Sequence, residues 1–115
     1  MRNELFWQKL DSLVASSEIA IDRPRGTAHQ RYPEFIYPLD YGYLKETSSG
    51  DRGGIDLWRG SLPGQQVTGV VVTIDLHKHD SEIKILLGCT HEEMVMIAET
   101  HNQGEQAGML IERNI

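Results

Sequence analysis

The stretch from Val67 to Ile74 most constrains the fold, because seven of its eight residues, Val67, Thr68, Val70, Val71, Val72, Thr73 and Ile74, are β-branched. Such side chains lose rotamer freedom in a helix and pack well on a pleated surface, so the run reads as a central, buried strand. Shorter strands are expected at Ile19–Ile21, ended by Pro24 and Gly26, at Ile55–Trp58, at Glu82–Leu87 and at Met109–Ile111. Leu76–Ser81 reads as a polar hairpin turn between two of them. Two helices bracket the strands. Asn3 can cap the first, in which Leu5, Phe6, Leu10, Leu13 and Val14 recur at roughly helical spacing, and Ser16-Ser17 ends it. Thr90-His-Glu-Glu93 is a capping box that opens the second, which runs to about His101 with Met94, Val95, Ile97, Ala98 and Thr100 or His101 on its apolar side. Asn102-Gln-Gly104 ends it.

A chain of 115 residues supports one domain: an N-terminal helix over 1–16, a mainly β body over 19–87, and a helix with a final strand over 90–115. The net charge of −6 argues against a nucleic-acid or anionic-membrane partner, since both need a basic surface that displaces counterions. The same balance suits a protein that holds a divalent cation among carboxylates. Cys89 is alone, so no internal disulfide can form and a cysteine zinc site lacks partners. No run of ~20 apolar residues occurs and the N-terminus carries no standard export signal, so a reduced, cytoplasmic setting is expected.

The chemistry gathers between residues 36 and 58. Tyr37 and Tyr41 bracket Pro38 and Asp40, and Pro38 with Gly42 makes this half an extended segment rather than a helix, with the tyrosines expected as rim or loop residues. Asp51 and Asp56 then straddle the glycine-rich turn Arg52-Gly-Gly54, which runs into Ile55–Trp58. A carboxylate in the loop and another at the strand's start project towards one spot. Hard cations such as Mg²⁺ need a few such oxygens, completed by waters and a phosphate. Arg23, Arg25, His29 and Arg31 make residues 23 to 32 basic in an acidic protein, and arginine's planar fork suits phosphate oxygens. Asp75 follows an apolar strand directly, poised where a site could use it. His77 and His79 alternate as a metal-binding pair would, but no third ligand sits at a recognisable spacing, and the reading favoured is a solvated hairpin tip.

Tyr37-Pro-Leu-Asp-Tyr41-Gly42, followed by Asp51-Arg-Gly-Gly-Ile-Asp56, resembles the signature region of the family I soluble inorganic pyrophosphatases. In that family a Tyr-Pro-x-x-Tyr-Gly element precedes an Asp-Gly-Asp-Pro-x-Asp metal-binding turn. Gly53 stands where the family has its middle aspartate and Gly54 where it has proline. Ile21-Asp-Arg-Pro-Arg-Gly26 is similar to the family's first strand, with Asp22 at the position of its glutamate. The segment from Gly69 to Lys84 resembles the piece that supplies two metal-binding aspartates and a phosphate-binding lysine.

This resemblance implies a small OB-like, five-stranded β-barrel with an N-terminal and a C-terminal helix, in a mainly β (α+β) domain. It implies Mg²⁺-dependent hydrolysis of inorganic pyrophosphate, with Mn²⁺ an acceptable substitute. Asp51, Asp56, Asp75 and either Asp80 or Glu82 are then the metal ligands, and Asp22 an outer-shell acid. Tyr37, Tyr41, Lys84 and an arginine among Arg23, Arg25 and Arg31 bind phosphate, and Tyr41, Asp56 and Lys84 act in catalysis. The family's C-terminal Tyr-Lys pair is replaced by His101-Asn102. The shortened C-terminal part leaves surface that longer relatives cover, which implies a homo-oligomer. Because Gly53 can neither bind metal nor accept a proton, two alternatives stand beside pyrophosphate: another phosphoanhydride as substrate, or a catalytically impaired homologue that binds metal and phosphate.

Overall fold

A computed structural model describes residues 3–50 and 53–114. Helix α1 spans Glu4–Ala15 and α2 spans His91–Thr100, and the strands are β1 (Ile19–Arg23), β2 (Asp40–Leu44), β3 (Ile55–Arg59), β4 (Val67–Asp75), β5 (Asp80–Leu87) and β6 (Gln106–Glu112). The β-branched run forms β4, and it lies inside a six-stranded sheet of order β1-β2-β3-β5-β4-β6. All neighbours are antiparallel except β3 and β5, which run parallel with Leu57 beside Ile85 and Trp58 beside Leu86.

The fold is mixed α and β, mainly β, as the sequence implies, but the sheet is open. β1 and β6 occupy its two ends, so the described strands number six and do not close into a five-stranded barrel. The physical reason lies in the helices, which pack on opposite faces. On one, Trp7, Leu10 and Val14 of α1 pack with Leu44, Leu57, Val67, Val70, Ile85 and Leu87. On the other, Met94 and Ile97 of α2 pack with Trp58, Val71, Leu86, Tyr37, Leu39 and Cys89. A sheet whose two apolar faces are each covered by a helix has no need to curl upon itself.

The α1 stripe differs from the expected one. Trp7 is buried, while Leu5 and Phe6 are 66% and 44% exposed. Trp7 completes an i, i+3, i+7 stripe with Leu10 and Val14, and the Arg113 guanidinium lies 5.6 Å from its ring and forks onto Asp11 at 2.8 and 2.9 Å. Asn3 sits at the helix start without a side-chain capping bond, whereas Thr90 and Glu93 form the full capping box that the sequence predicts. Gly42 allows β1 and β2 to approach closely, since a Cβ there would lie 1.9 Å from the Ala20 carbonyl oxygen.

Candidate functional site

Period-2 alternation decides which side chains reach the α2 face. In β3, Leu57 joins the α1 core, so Asp56 and Trp58 point the other way. In β5, Ile85 and Leu87 join the α1 core, which turns Lys84 and Leu86, and with them Glu82, towards α2. The parallel register that sets Trp58 beside Leu86 brings Asp56 and Lys84 together two residues earlier. β2 adds Tyr41, directly across from Trp58.

Three polar groups converge on one atom of the fourth. Lys84 Nζ donates to Asp56 Oδ2 at 2.7 Å, to Glu82 Oε1 at 2.8 Å and to the Tyr41 hydroxyl at 3.3 Å. Glu82 and Lys84 side chains are 5% and 9% exposed, and Asp56, at 24%, is the open side of the cluster. Burial alone pushes the Lys84 pKa down, but the Tyr41 oxygen and the Asp56 and Glu82 carboxylates outweigh it and hold the ammonium above the ordinary lysine range. Burial pushes the Tyr41 phenol up as well, reinforced by Asp56 and opposed by Lys84, so it stays protonated and can donate.

An aromatic wall backs the cluster. The Tyr41 ring lies 4.6 Å from Trp58 and 5.7 Å from Tyr37, and Tyr37 stacks on His29 at 6.1 Å. Trp58 Nε1–H donates to His101 Nε2 at 3.0 Å, and His101 Nδ1 meets Gln106 Oε1 at 3.0 Å. Burial, with the Lys84 charge acting in the same direction, lowers the His101 pKa against the hydrogen bond to the Gln106 oxygen.

Of the residues singled out by sequence, the structure brings Tyr41, Asp56, Glu82 and Lys84 together, with Tyr37 behind them. Between the two acids left open for the same role, it is Glu82 that sits on Lys84. Asp75 and Asp80 face each other at the end of the β4–β5 hairpin. The Asp75 carboxylate accepts from the Lys78 and His77 amides at 3.0 and 2.9 Å, which hold its pKa below the usual carboxylate range. Asp51 lies outside the described residues. Asp22 is exposed on β1, at the register shift against β2. The side chains of Arg25 and Arg31 are solvent-facing, and their ordered contacts are backbone ones: the Arg25 amide to Asp40 Oδ1 and the Arg31 amide to His29 Nδ1. Asp40 is further held by Arg59 at 3.0 Å, which commits it away from the cluster. Tyr41 belongs to a strand, not to a loop or rim. His77 and His79 are exposed at the hairpin tip.

Sequence reasoning passed over Trp58, His101 and Gln106 as site residues. Trp58 shares its strand parity with Asp56, a signal that was present. His101 follows Ile97 by four, one helical turn, yet only the packing of α2 and β6 shows where its ring nitrogens point.

Among the described residues, no group of three or more histidine, cysteine, aspartate or glutamate side chains is arranged to hold a metal ion. Asp56 and Glu82 nevertheless present oxygen donors of the hard type that Mg²⁺ prefers, and Mg²⁺ is commonly held by one or two carboxylates with waters and substrate phosphates. The donor set therefore fits that cation by its chemistry. No protein-family model matches the chain, and no curated protein matches it. Among the described residues, no helix is long and apolar enough to cross a membrane.

Proposed function

We propose that the chain hydrolyses inorganic pyrophosphate in the presence of Mg²⁺, with the reaction centred on Lys84. The observation that carries this reading is the meeting of Asp56, Glu82 and Tyr41, from three strands, on one buried ammonium. A carboxylate pair beside a fixed cation and a protonated phenol suits a substrate that is itself a polyanion brought in with a divalent metal. Asp56 and Glu82 would hold the cation, which supplies neutralisation of the phosphate charge and acidifies the attacking water. Lys84 exchanges its longest bond, the one to the Tyr41 hydroxyl, for one to a phosphate oxygen and keeps its proton, because the two carboxylates hold it charged. Tyr41 donates its hydroxyl hydrogen to the same phosphoryl group and, lying on the sheet, keeps the position of that bond fixed. Asp56, the most open of the acids, is the group placed to accept the proton of the water. The same reading takes the protein as cytoplasmic and self-associating. Its supports are the lone, buried Cys89 thiol, pushed up to about 12 by burial and Glu93, and the exposed Met109 and Ile111 on the edge strand β6.

A second reading, a homologue that binds metal and phosphate without turnover, is favoured by one observation. Gly53 brings no acid to the turn, and Asp40, the acid beside Tyr41, is committed to the Arg25 amide and to Arg59. Phosphate release from pyrophosphate, followed with Mg²⁺ in the native protein and in Asp56→Asn, separates the two. The enzyme reading expects release that falls at least about a hundredfold in the variant, a loss of ~2.7 kcal/mol of transition-state stabilisation. Mg²⁺ binding by calorimetry with no release from any phosphoanhydride establishes the second reading instead. A large gain of rate in Gly53→Asp shows that the missing acid limits the native chain.

A further inference from the structure

Indole nitrogen is a donor only, so the atom that Trp58 Nε1–H meets must offer a lone pair. That atom is His101 Nε2, which makes His101 neutral and places its one ring proton on Nδ1. Nδ1–H then donates to Gln106 Oε1 at 3.0 Å. With its oxygen so engaged, Gln106 turns its amide nitrogen to Asp75, whose Oδ2 lies 3.5 Å away. The pairing does not depend on that distance alone, because Gln106 and Asp75 are direct cross-strand partners in the β4–β6 ladder. Every donor in the series faces an acceptor: indole to imidazole, imidazole to amide, amide to carboxylate. The other oxygen of Asp75 is held by two amides of its own turn, so the carboxylate at the head of the series is fixed at both ends.

We propose that Asp75, Gln106 and His101 form a hydrogen-bonded relay that positions Trp58, and that Asp75 serves this relay as its anchor rather than serving a cation as a ligand. Trp58 is 2% exposed and its ring lies 4.6 Å from Tyr41, whose hydroxyl meets Lys84. The orientation of the indole thus sets the wall against which Tyr41 is held. His101 is a positioning residue in this scheme. It touches neither Asp56 nor Glu82 by a hydrogen bond, and its effect on the cluster runs through two aromatic rings. A histidine side chain free in water favours the proton on Nε2, so the Nδ1–H form is a state that the protein imposes. The consequence for turnover rests on the hydrolase reading, while the relay itself is a property of the resting protein.

The test is long-range ¹H–¹⁵N NMR of the full chain labelled in histidine and tryptophan, without metal or substrate. The native protein is expected to show His101 protonated on Nδ1 with Nε2 as acceptor, and a Trp58 indole proton slow to exchange. Gln106→Leu removes the acceptor for Nδ1–H. His101 should then revert towards the Nε2–H form and the Trp58 indole proton should exchange about tenfold faster, the equivalent of one ordinary hydrogen bond. Asp75→Leu removes the oxygen that receives the Gln106 amide and should lose the native His101 pattern as well. Nε2–H in the native protein overturns the relay, and this readout needs no variant to fold. An unchanged pattern in both Gln106→Leu and Asp75→Leu overturns it too. Absence of phosphate release would end the hydrolase reading and leave these spectra as they are.

Discussion

The two faces of the sheet are built from alternate residues of the same strands, yet they use burial in opposite ways. Towards α1, the covered side chains are Trp7, Leu10, Val14, Leu44, Leu57, Val67, Val70, Ile85 and Leu87, all apolar. Towards α2, an apolar cluster of similar size shares its space with Glu82, Lys84 and His101, each 7–8% exposed. A charged group removed from water costs several kcal/mol unless paired, and a pair of charges seldom does better than a hydrophobic substitute of the same volume. The α1 face therefore carries most of the stability. The α2 face gives some of that up to hold an ammonium, two carboxylates and a neutral imidazole where solvent would otherwise blur their geometry.

The largest effect that could break this comparison is expected at Lys84. Lys84→Met leaves Asp56 and Glu82 facing one another without their shared cation, and breaking a buried pair by removing one partner costs about 3–5 kcal/mol. Urea unfolding at neutral pH checks the number. A loss below about 1 kcal/mol would mean that the cluster is solvated and the contrast between faces is false. Adding Glu82→Gln to the same variant should recover part of the loss, because one of the two stranded charges is gone. Ile85 is the control on the opposite face, one residue along β5 and 0% exposed. Ile85→Ala should cost about 2–5 kcal/mol through lost contact and the cavity left behind. Phosphate release per folded molecule should nevertheless stay near native. Folded Ile85→Ala that has lost turnover would show that the two faces cannot be separated.

Much of this contrast was legible in the sequence, and the part that was not has a physical cause. Alternation is local, so Asp56 and Trp58, or Glu82 and Lys84, could be placed on one face before any fold was known. The capping box at Thr90 and Glu93 is equally local, and it is present as read. What a local pattern cannot specify is which strands lie side by side. The parallel contact of β3 with β5 joins segments separated by the whole of β4, and that contact alone puts Asp56 on Lys84. Trp7 with Leu10 and Val14, and Phe6 with Leu10 and Leu13, fit a helical stripe equally well, and only the packing of α1 on the sheet shows that Trp7 is the one covered. His101 fits an apolar helix stripe by spacing, and its role becomes visible only when Gln106 of the next strand is seen across from it. The open sheet, in place of a closed barrel, follows from a helix on each face, a matter of tertiary packing that a motif match does not reach.

The smallest effect is also the one that sharpens the comparison most, because it isolates a single proton on the α2 face. Burial holds the His101 pKa below the ordinary histidine value of 6.5. Above pH 6.5 the ring is neutral in both folded and unfolded chains and contributes no pH dependence. As pH falls below 6.5 the unfolded chain takes up the proton first, so stability drops, by at most about 1.4 kcal/mol per pH unit for one site, until the folded value is passed. His91 acts in the opposite sense. Its exposed ring pairs with Glu112, which raises its pKa, so its contribution is present below 6.5 and fades as pH rises through the raised value. The measurement therefore uses His91→Gln as the background and compares urea midpoints from pH 7.5 to 5.0 with and without His101→Gln. Asp40, Asp75 and Glu93, all held below the usual carboxylate values, lose their contributions only further into acid. A steeper fall of stability in the chain that retains His101 is the expected result. Equal slopes would mean that the imidazole accepts its proton as readily inside the protein as outside, which no ring receiving a hydrogen bond from Trp58 could do.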